Sequence, residues 1–551
     1  MRLQRIRASL MSISPEILHL LASIYVENVN QWGILMEQGS TEIAAHVETM
    51  NQSLLCLKVL RRLIITGFEH PHRDPQVREF WLVTHSHFSR FYSLLDRIGK
   101  TSPEGTKLVE KHIVQLSKLH VDMAKTHAAS FALLPDSFPL VKSYWALVIK
   151  LGEDYKRIDA VGDEQGDKTF TEKTGLKALL LIRACARMAF NPAQTFKYQS
   201  PQDKEDKRQS VELIKSQLFT QEFVVNVMEL LVTQFFSFRK EDIEQWEEEP
   251  EEWEKREEEI TDAWEFSIRS CSEKLFLDLV IHFKDLLIPR LLNVFYTFAS
   301  KFVSWFVCFF WDFANTKQMT FVRSTAPENH DILLKDSLYS AVGLASMSLE
   351  QHLDFNAFLQ STLVREVQIQ EQGYNYLRRR IAILLGQWVP VKPGELDKDA
   401  IYQIFQHLLN EQDPLNDLVV RITAGRQLTN ILEPFEFSAI DFMPYAPAIL
   451  QGLLALIQEA QISDTKMGLL ETVRVAVVKM EDHVGALIHR ACRRFIVVST
   501  NFVFFIDCSL LGPCYLSSPG VVGRIRGRAF DETSHSHPII SINALVKTRV
   551  R

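Results

Sequence analysis

Glycine and proline are scarce in this 551-residue chain, at 21 and 20 residues. Tight turns and long linkers draw on both, so an all-β design and a string of loosely tethered domains are disfavoured. Cysteine is scarcer still. Seven residues, odd in number and nowhere arranged as CxxC, make neither a disulfide framework nor a zinc site and fit a reducing compartment. The chain also lacks a Walker loop, a dinucleotide glycine fingerprint, an HExxH pair and a GxSxG elbow. Those absences remove the usual signatures of catalysis, and the expectation is a protein that is no enzyme and needs no cofactor. The apolar run "KFVSWFVCFFWDFA" is interrupted and shorter than the roughly twenty residues of a membrane span, so no membrane insertion is expected. No secretory signal is recognisable, and the basic start "MRLQRIRASLMSIS" reads as a charged helix edge rather than a transit peptide.

What remains is a globular composition, 46% hydrophobic and 23% charged, on a chain too long for one ordinary core. The formal net charge of −7 gives no general attraction to nucleic acid and suits basic protein partners. Apolar positions recur at helical spacing through most of the length. In "APAILQGLLALIQEAQ" the residues Ile449, Leu450, Leu453, Leu454 and Ile457 fall on one stripe. Asp464 then offers a cap for a second helix whose inner face would carry Leu470, Val473 and Val477. Such a hairpin cannot bury both stripes alone, so a neighbouring hairpin must cover it.

The hairpins repeat. Laying "LRRRIAILLGQW" over "LVVRITAGRQLT" sets Leu377 on Leu418 and Arg380 on Arg421, an offset of about forty-one residues and within the HEAT and armadillo range. Asp417 reads as the cap of the second of these helices, with Val420, Arg421, Ala424 and Leu428 along it. The fold class expected is all-α, an α-solenoid of HEAT/armadillo-type repeats. The basic clusters Arg61/Arg62 and Arg378 to Arg380 are embedded in apolar periodicity, which makes them parts of packed helices rather than displayed basic signals. Gly67 stands where a helix-terminating glycine is expected.

Residues 239–266, "RKEDIEQWEEEPEEWEKREEEITDAWEF", are densely acidic and carry Trp246, Trp253 and Trp264. Carboxylates in a run repel one another, so the segment is expected as a solvated loop or helix edge with aromatic anchors. It is either a plain connector or an acidic arm that meets a basic partner. The His70/His72, His85/His87 and His535/His537 pairs resemble metal-binding HxH, but the second pair reads as helix, where neighbours two apart point away from each other, the first brackets Pro71 in a loop and the third falls in the atypical tail, so no metal is expected. The single "GRIRGR" is weak evidence for nucleic-acid contact.

Two stretches break the rhythm: "KFVSWFVCFFWDFANTKQMTFVRST", residues 301–325, and the tail, residues 483–551. Together they hold Cys308, Cys492, Cys508 and Cys514. We expect both to be aberrant translation, the first a retained intron and the second a read-through end, between and after solenoid segments 1–300 and 326–482. Peptides from source cells joining Ala299 or Ser300 directly to "APENHD" support this; abundant peptides over Trp305 to Lys317 refute it.

The ordered set "LKVLRRLIITGF", "EQWEEEPEEWE", "LLKDSLYSAVGLAS", "LRRRIAILLGQWV", "DLVVRITAGRQL" and "DTKMGLLETV" resembles the importin-β superfamily of karyopherins, nearest its importin eleven branch. The resemblance spans roughly residues 15–300 and 326–482. It implies a HEAT-repeat receptor that shuttles between nucleus and cytoplasm across the nuclear envelope, with Ran-GTP, protein cargo of basic character and nuclear pore proteins as partners. It also implies that the repeats providing the principal Ran-GTP grip precede this chain, which places Ran binding in question. Glu247, Glu248, Glu249, Glu251, Glu252, Arg380 and Arg421 are the candidate partner contacts. The alternative is a HEAT-repeat scaffold that holds protein complexes together without Ran.

Overall fold

Short polar side chains fix where the helices begin. Asp417 accepts the Val420 backbone N–H at 3.0 Å, and Asp397 accepts that of Ala400 at 3.1 Å, each satisfying a donor that the first turn leaves open. Gly373, at φ 88, takes the left-handed turn into the helix Tyr374–Trp388, a conformation that a side chain would strain. The computed structural model describes residues 2–37, 46–98, 103–155, 169–190, 200–262, 264–299, 329–480 and 483. Among them no strand occurs. The segment 301–325 and nearly all of the tail, with their four cysteines, His535/His537 and "GRIRGR", lie outside the described residues.

The chain forms two compact units that part between Asp354 and Phe355. The first begins with α1 (Arg2–Glu37), α2 (Val47–Gly67), α3 (Pro75–Ile98), α4 (Pro103–Thr126) and α5 (Ala128–Leu133). It continues through α6 (Ser137–Asp154), α7 (Phe170–Phe190), α8 (Pro201–Leu213), α9 (Gln221–Leu230) and α10 (Lys240–Glu248). It ends with α11 (Pro250–Asp262), α12 (Ile268–His282), α13 (Lys284–Ala299), α14 (Asn329–Leu344) and α15 (Ser346–Leu349). Helices α2, α4, α7 and α12 pack each on the next, while α3 backs α4 and α6 backs α7. This is a two-layer stack of helix pairs, the α-solenoid of HEAT repeats expected from the periodicity. Gly67 does end α2, but not by a left-handed turn. A methyl group there would collide with the Ser14 hydroxyl, so the glycine serves the close approach of α1 and α2.

The second unit holds α16 (Phe355–Phe358), α17 (Val364–Glu366), α18 (Tyr374–Trp388) and α19 (Lys398–Leu408). Then follow α20 (Leu418–Leu432), α21 (Ala439–Phe442), α22 (Ala446–Glu459) and α23 (Ser463–Met480). Helix α18 packs on α20 and α20 on α23, with α19 against α22 in the other layer. Side-chain hydrogen bonds cross between successive pairs at separations of 42 or 43 residues: Asn375 to Asp417, Gln403 to Tyr445, Gln370 to Asp413 and Thr429 to Thr472. That interval is the repeat. Trp388 stacks on Phe355 with centroids 4.4 Å apart and planes within 6°, closing the core at the end of α18.

Helical stripes differ from expectation by a fraction of a turn. On α22, Ile449, Leu453 and Ile457 are buried as read, but Leu456 replaces Leu450 and Leu454. On α23 the buried stripe is Thr465, Leu469, Thr472, Ala476 and Met480, one residue behind the expected Leu470, Val473 and Val477. Asp464 lies within the first turn of that helix rather than before it. Thr472 takes a core position there because it hydrogen-bonds Thr429 of α20 at 2.8 Å, which pays the desolvation of both hydroxyls.

Candidate protein-interaction surface

Helices α10 and α11 carry the acidic run, and aromatic packing sets their orientation. Asp242 accepts the Arg239 backbone N–H at 2.8 Å and starts α10. Pro250 opens α11, where a missing N–H costs nothing. Trp246 and Trp253, 3% and 2% exposed, bring their rings to 4.6 Å, and both pack on Phe238 at 6.1 and 5.6 Å. With the tryptophans turned in, Glu247, Glu248, Glu249 and Glu252 are exposed. Glu251 is not: it is buried, as is Glu254, so the expectation of an entirely solvated run is corrected at these two positions. Glu251 and Glu254 stand three residues apart, one turn from each other, on a side of α11 that faces the body.

Two arginines tie this arm to the solenoid. Arg239 donates to Glu172 of α7 at 2.5 Å and lies 5.4 Å from the Tyr155 ring. Arg269 of α12 pairs with Glu257 and stands 4.8 Å from the Phe238 ring. Burial opposes the charge on Arg269, yet Glu257, Asp242 and Glu273 outweigh it and hold its pKa above the ordinary arginine value. The result is a rigid platform that shows water a row of carboxylates. Solvated carboxylates of one sign produce an extended negative field, suited to attracting a basic protein surface and unsuited to acid catalysis.

The arginine candidates go elsewhere. Arg380 and Arg421 are 8% and 9% exposed. Arg421 grips Glu459 with both terminal nitrogens, at 2.5 and 2.7 Å, and donates through Nε to the Asn416 carbonyl at 3.0 Å. Its guanidinium is consumed inside the repeat stack. The partner of Arg421 in the repeat is Arg378 rather than Arg380. Arg378 donates to Asn416 Oδ1 at 2.7 Å, 38 residues on, just as Arg421 reaches Glu459 38 residues on. Sequence alignment on leucines missed this because the ladder is set by where the guanidinium meets the following turn.

Of the two histidine pairs among the described residues, each has a member held by hydrogen bonds inside the helical stack. His87 bonds the Tyr25 hydroxyl at 3.0 Å, and His72 bridges Ser130 at 2.8 Å and Asp206 at 2.9 Å. Among the described residues, no group of His, Cys, Asp and Glu is arranged to hold a metal ion, and no helix is long and apolar enough to cross a membrane.

No protein-family model matches the chain. Over 463 residues, 82% of its length, it is 29% identical to importin-11 of Mus musculus and to importin-11 of Homo sapiens. It is 26% identical over 483 residues, 87% of its length, to the importin beta-like protein KAP120 of Saccharomyces cerevisiae. The chain spans less than half of these relatives, 42% and 43% of their lengths. The solved structure of Lph2, described as a bidirectional nuclear transport receptor in S. cerevisiae, matches its fold with a TM-score of 0.71 at 23% identity, over 90% of this chain and 45% of that one. With a two-layer helical repeat and relatives of one kind across four fifths of its length, the chain is similar in sequence to importins and in fold to a karyopherin-type solenoid.

Proposed function

We propose that this chain is part of a nuclear transport receptor that carries protein cargo between cytoplasm and nucleus and performs no chemistry of its own. The observation that supports it is the similarity to importins over 82% of the chain, on a fold whose repeats offer a long surface for wrapping a folded partner. Within that reading, Glu247, Glu248, Glu249 and Glu252 form the contact surface for a basic cargo or for Ran. Exposed like charges on a rigid base speed encounter and select partner sign more than they add affinity. Import with release by Ran-GTP then follows as negative coupling between two ligands on one solenoid, and passage through the pore requires pore-protein contacts.

The deciding experiment is binding of the purified chain to Ran loaded with a non-hydrolysable GTP analogue, with Ran-GDP as control and circular dichroism to establish folding. Selective binding of the GTP form supports the receptor reading and places part of the Ran site in these repeats. Equal or absent binding by folded protein turns the reading toward a Ran-independent scaffold.

A further inference from the structure

A second charged feature, of opposite sign, crosses the layer formed by α2, α4, α7 and α12. Arg61 on α2 donates to Asp122 on α4 at 2.7 Å. Lys125, in the last turn of α4, pairs with Glu265 at 2.9 Å and stands 6.0 Å from the Trp264 ring. Arg183 on α7 lies 3.9 Å from the same ring and donates through Nε to Asp278 on α12 at 2.7 Å. Each of these carboxylates therefore already has its cation. Lys118 on α4 and Lys177 and Arg187 on α7 have none: they make no ion pair or hydrogen bond among the described residues.

The surplus is local and held in place. Lys177 is half-buried; burial and the like charges of Lys118 and Lys125 push its amine below the ordinary lysine pKa, against the pull of Asp122 and Glu265. Beyond Lys125, the residues Arg183, Arg187, Trp264, Asp278 and His282 line a cleft of about 280 Å³. Six cations face three carboxylates along this row, in a chain whose net charge is −7. Unpaired cations kept close together store repulsion that a bound anion relieves.

We propose that this row is the docking site for an acidic segment of a protein partner, a run of aspartates and glutamates lying across α4 and α7 with one anionic side chain in the Trp264 cleft. Recession of the cations chooses a peptide over a duplex. Lys118, Lys177 and Arg183 are only partly exposed, and a flexible carboxylate side chain reaches between helices where phosphates fixed along a rod do not. The site is separate from the exposed glutamates of α10 and α11, and it stands whether or not Ran binds.

The test uses the full chain and a fluorescein-labelled oligo-glutamate peptide, read by anisotropy, with an oligo-glutamine peptide and a single-stranded oligonucleotide of matched charge alongside. The glutamate peptide binds, more weakly as salt is added, and the glutamine peptide does not. The triple variant Lys118→Gln/Lys177→Gln/Arg187→Gln weakens binding by about tenfold or more, while Lys142→Gln/Lys150→Gln/Lys204→Gln on α6 and α8 leaves it unchanged. Should the first triple not fold, Lys177→Gln alone is measured, with a severalfold loss expected. Equal losses in both triples, absence of binding, or preferential binding of the oligonucleotide overturns the proposal.

Discussion

Arg378 sets its Nη1 3.0 Å from Asp413 Oδ1, with the arginine side chain fully out of solvent and the aspartate 7% exposed. The pair links a helix of one repeat to the turn that begins the next. Asp413 also accepts from Gln370 at 2.7 Å and from the Leu415 backbone N–H at 3.0 Å, so its charge is fully enclosed by donors. Burial raises its carboxyl pKa, and the Arg378 and Gln370 hydrogen bonds more than reverse that, leaving it below the ordinary aspartate value.

Removing one partner of such a pair leaves the other charge buried alone. Arg378→Met should therefore lower unfolding stability by about 3–5 kcal/mol, whereas changing both Arg378→Met and Asp413→Asn should recover a large part of the loss. A double-mutant cycle by urea denaturation gives the coupling, and a loss confined to a few tenths of a kcal/mol would mean the pair is only ornamental. Arg421→Ala should cost less, about 1–3 kcal/mol, because Glu459 is 41% exposed and water can replace the arginine.

Gly425 marks where α20 meets α22 and α23. A methyl group there would sit 2.5 Å from Leu469 Cδ2 and 3.1 Å from Leu453 Cδ2, and both leucines are 0% exposed. Replacing glycine by alanine in a helix gains about 1 kcal/mol of propensity. Overpacking a tight core costs about 1–3 kcal/mol, so the clash wins or at best breaks even. Gly425→Ala should destabilise the second unit and Gly425→Val more so; a raised melting temperature for the valine variant would contradict the tight contact.

The repeat and the Asp417 cap were legible because period and cap chemistry are local, although Asp464, expected as a cap, lies within the first turn of α23. Asp417 before Val420, and apolar residues at helical spacing, need only neighbours in sequence. The burying face of α23 was not legible, since leucine and valine occur on both sides of that helix and Thr472 finds its partner, Thr429, 43 residues away. The acidic run was readable as an arm, but the burial of Glu251 depends on the turn set by the Trp246 and Trp253 pair. Lys118 and Lys177 were invisible as a group, for they lie on different helices and become neighbours only when α4 packs on α7.

Acid should loosen the first unit. Burial lowers His85, His87 and His112 to about 4 and His120 well below its usual 6.5. The unfolded chain then binds more protons than the folded one between pH 6.5 and 4. Stability from these groups is complete above 6.5 and is lost as pH falls through that window. At pH 5 each of the three costs at most about 2 kcal/mol relative to pH 7. Urea midpoints at the two pH values check this, and His112→Gln, which keeps a hydrogen-bonding group beside Ser53, should flatten the dependence.

The acidic arm offers the sharpest test of the receptor reading, because its charge and its scaffold can be altered separately. Glu247→Lys, Glu248→Lys, Glu249→Lys and Glu252→Lys all fall on exposed positions, so together they should leave folding intact while cutting affinity for a basic partner by roughly tenfold, chiefly through slower association at low salt. Trp246→Ala should act differently: it opens a cavity against Trp253 and Phe238, costs about 3–5 kcal/mol, and loosens the platform without changing its charge. If the glutamate variant keeps full affinity and normal association rates while the tryptophan variant loses both, the arm contributes shape rather than field, and the carboxylates are a solvated rim. Stopped-flow association at two salt concentrations separates these outcomes, since only a field-driven encounter slows as the ions screen it.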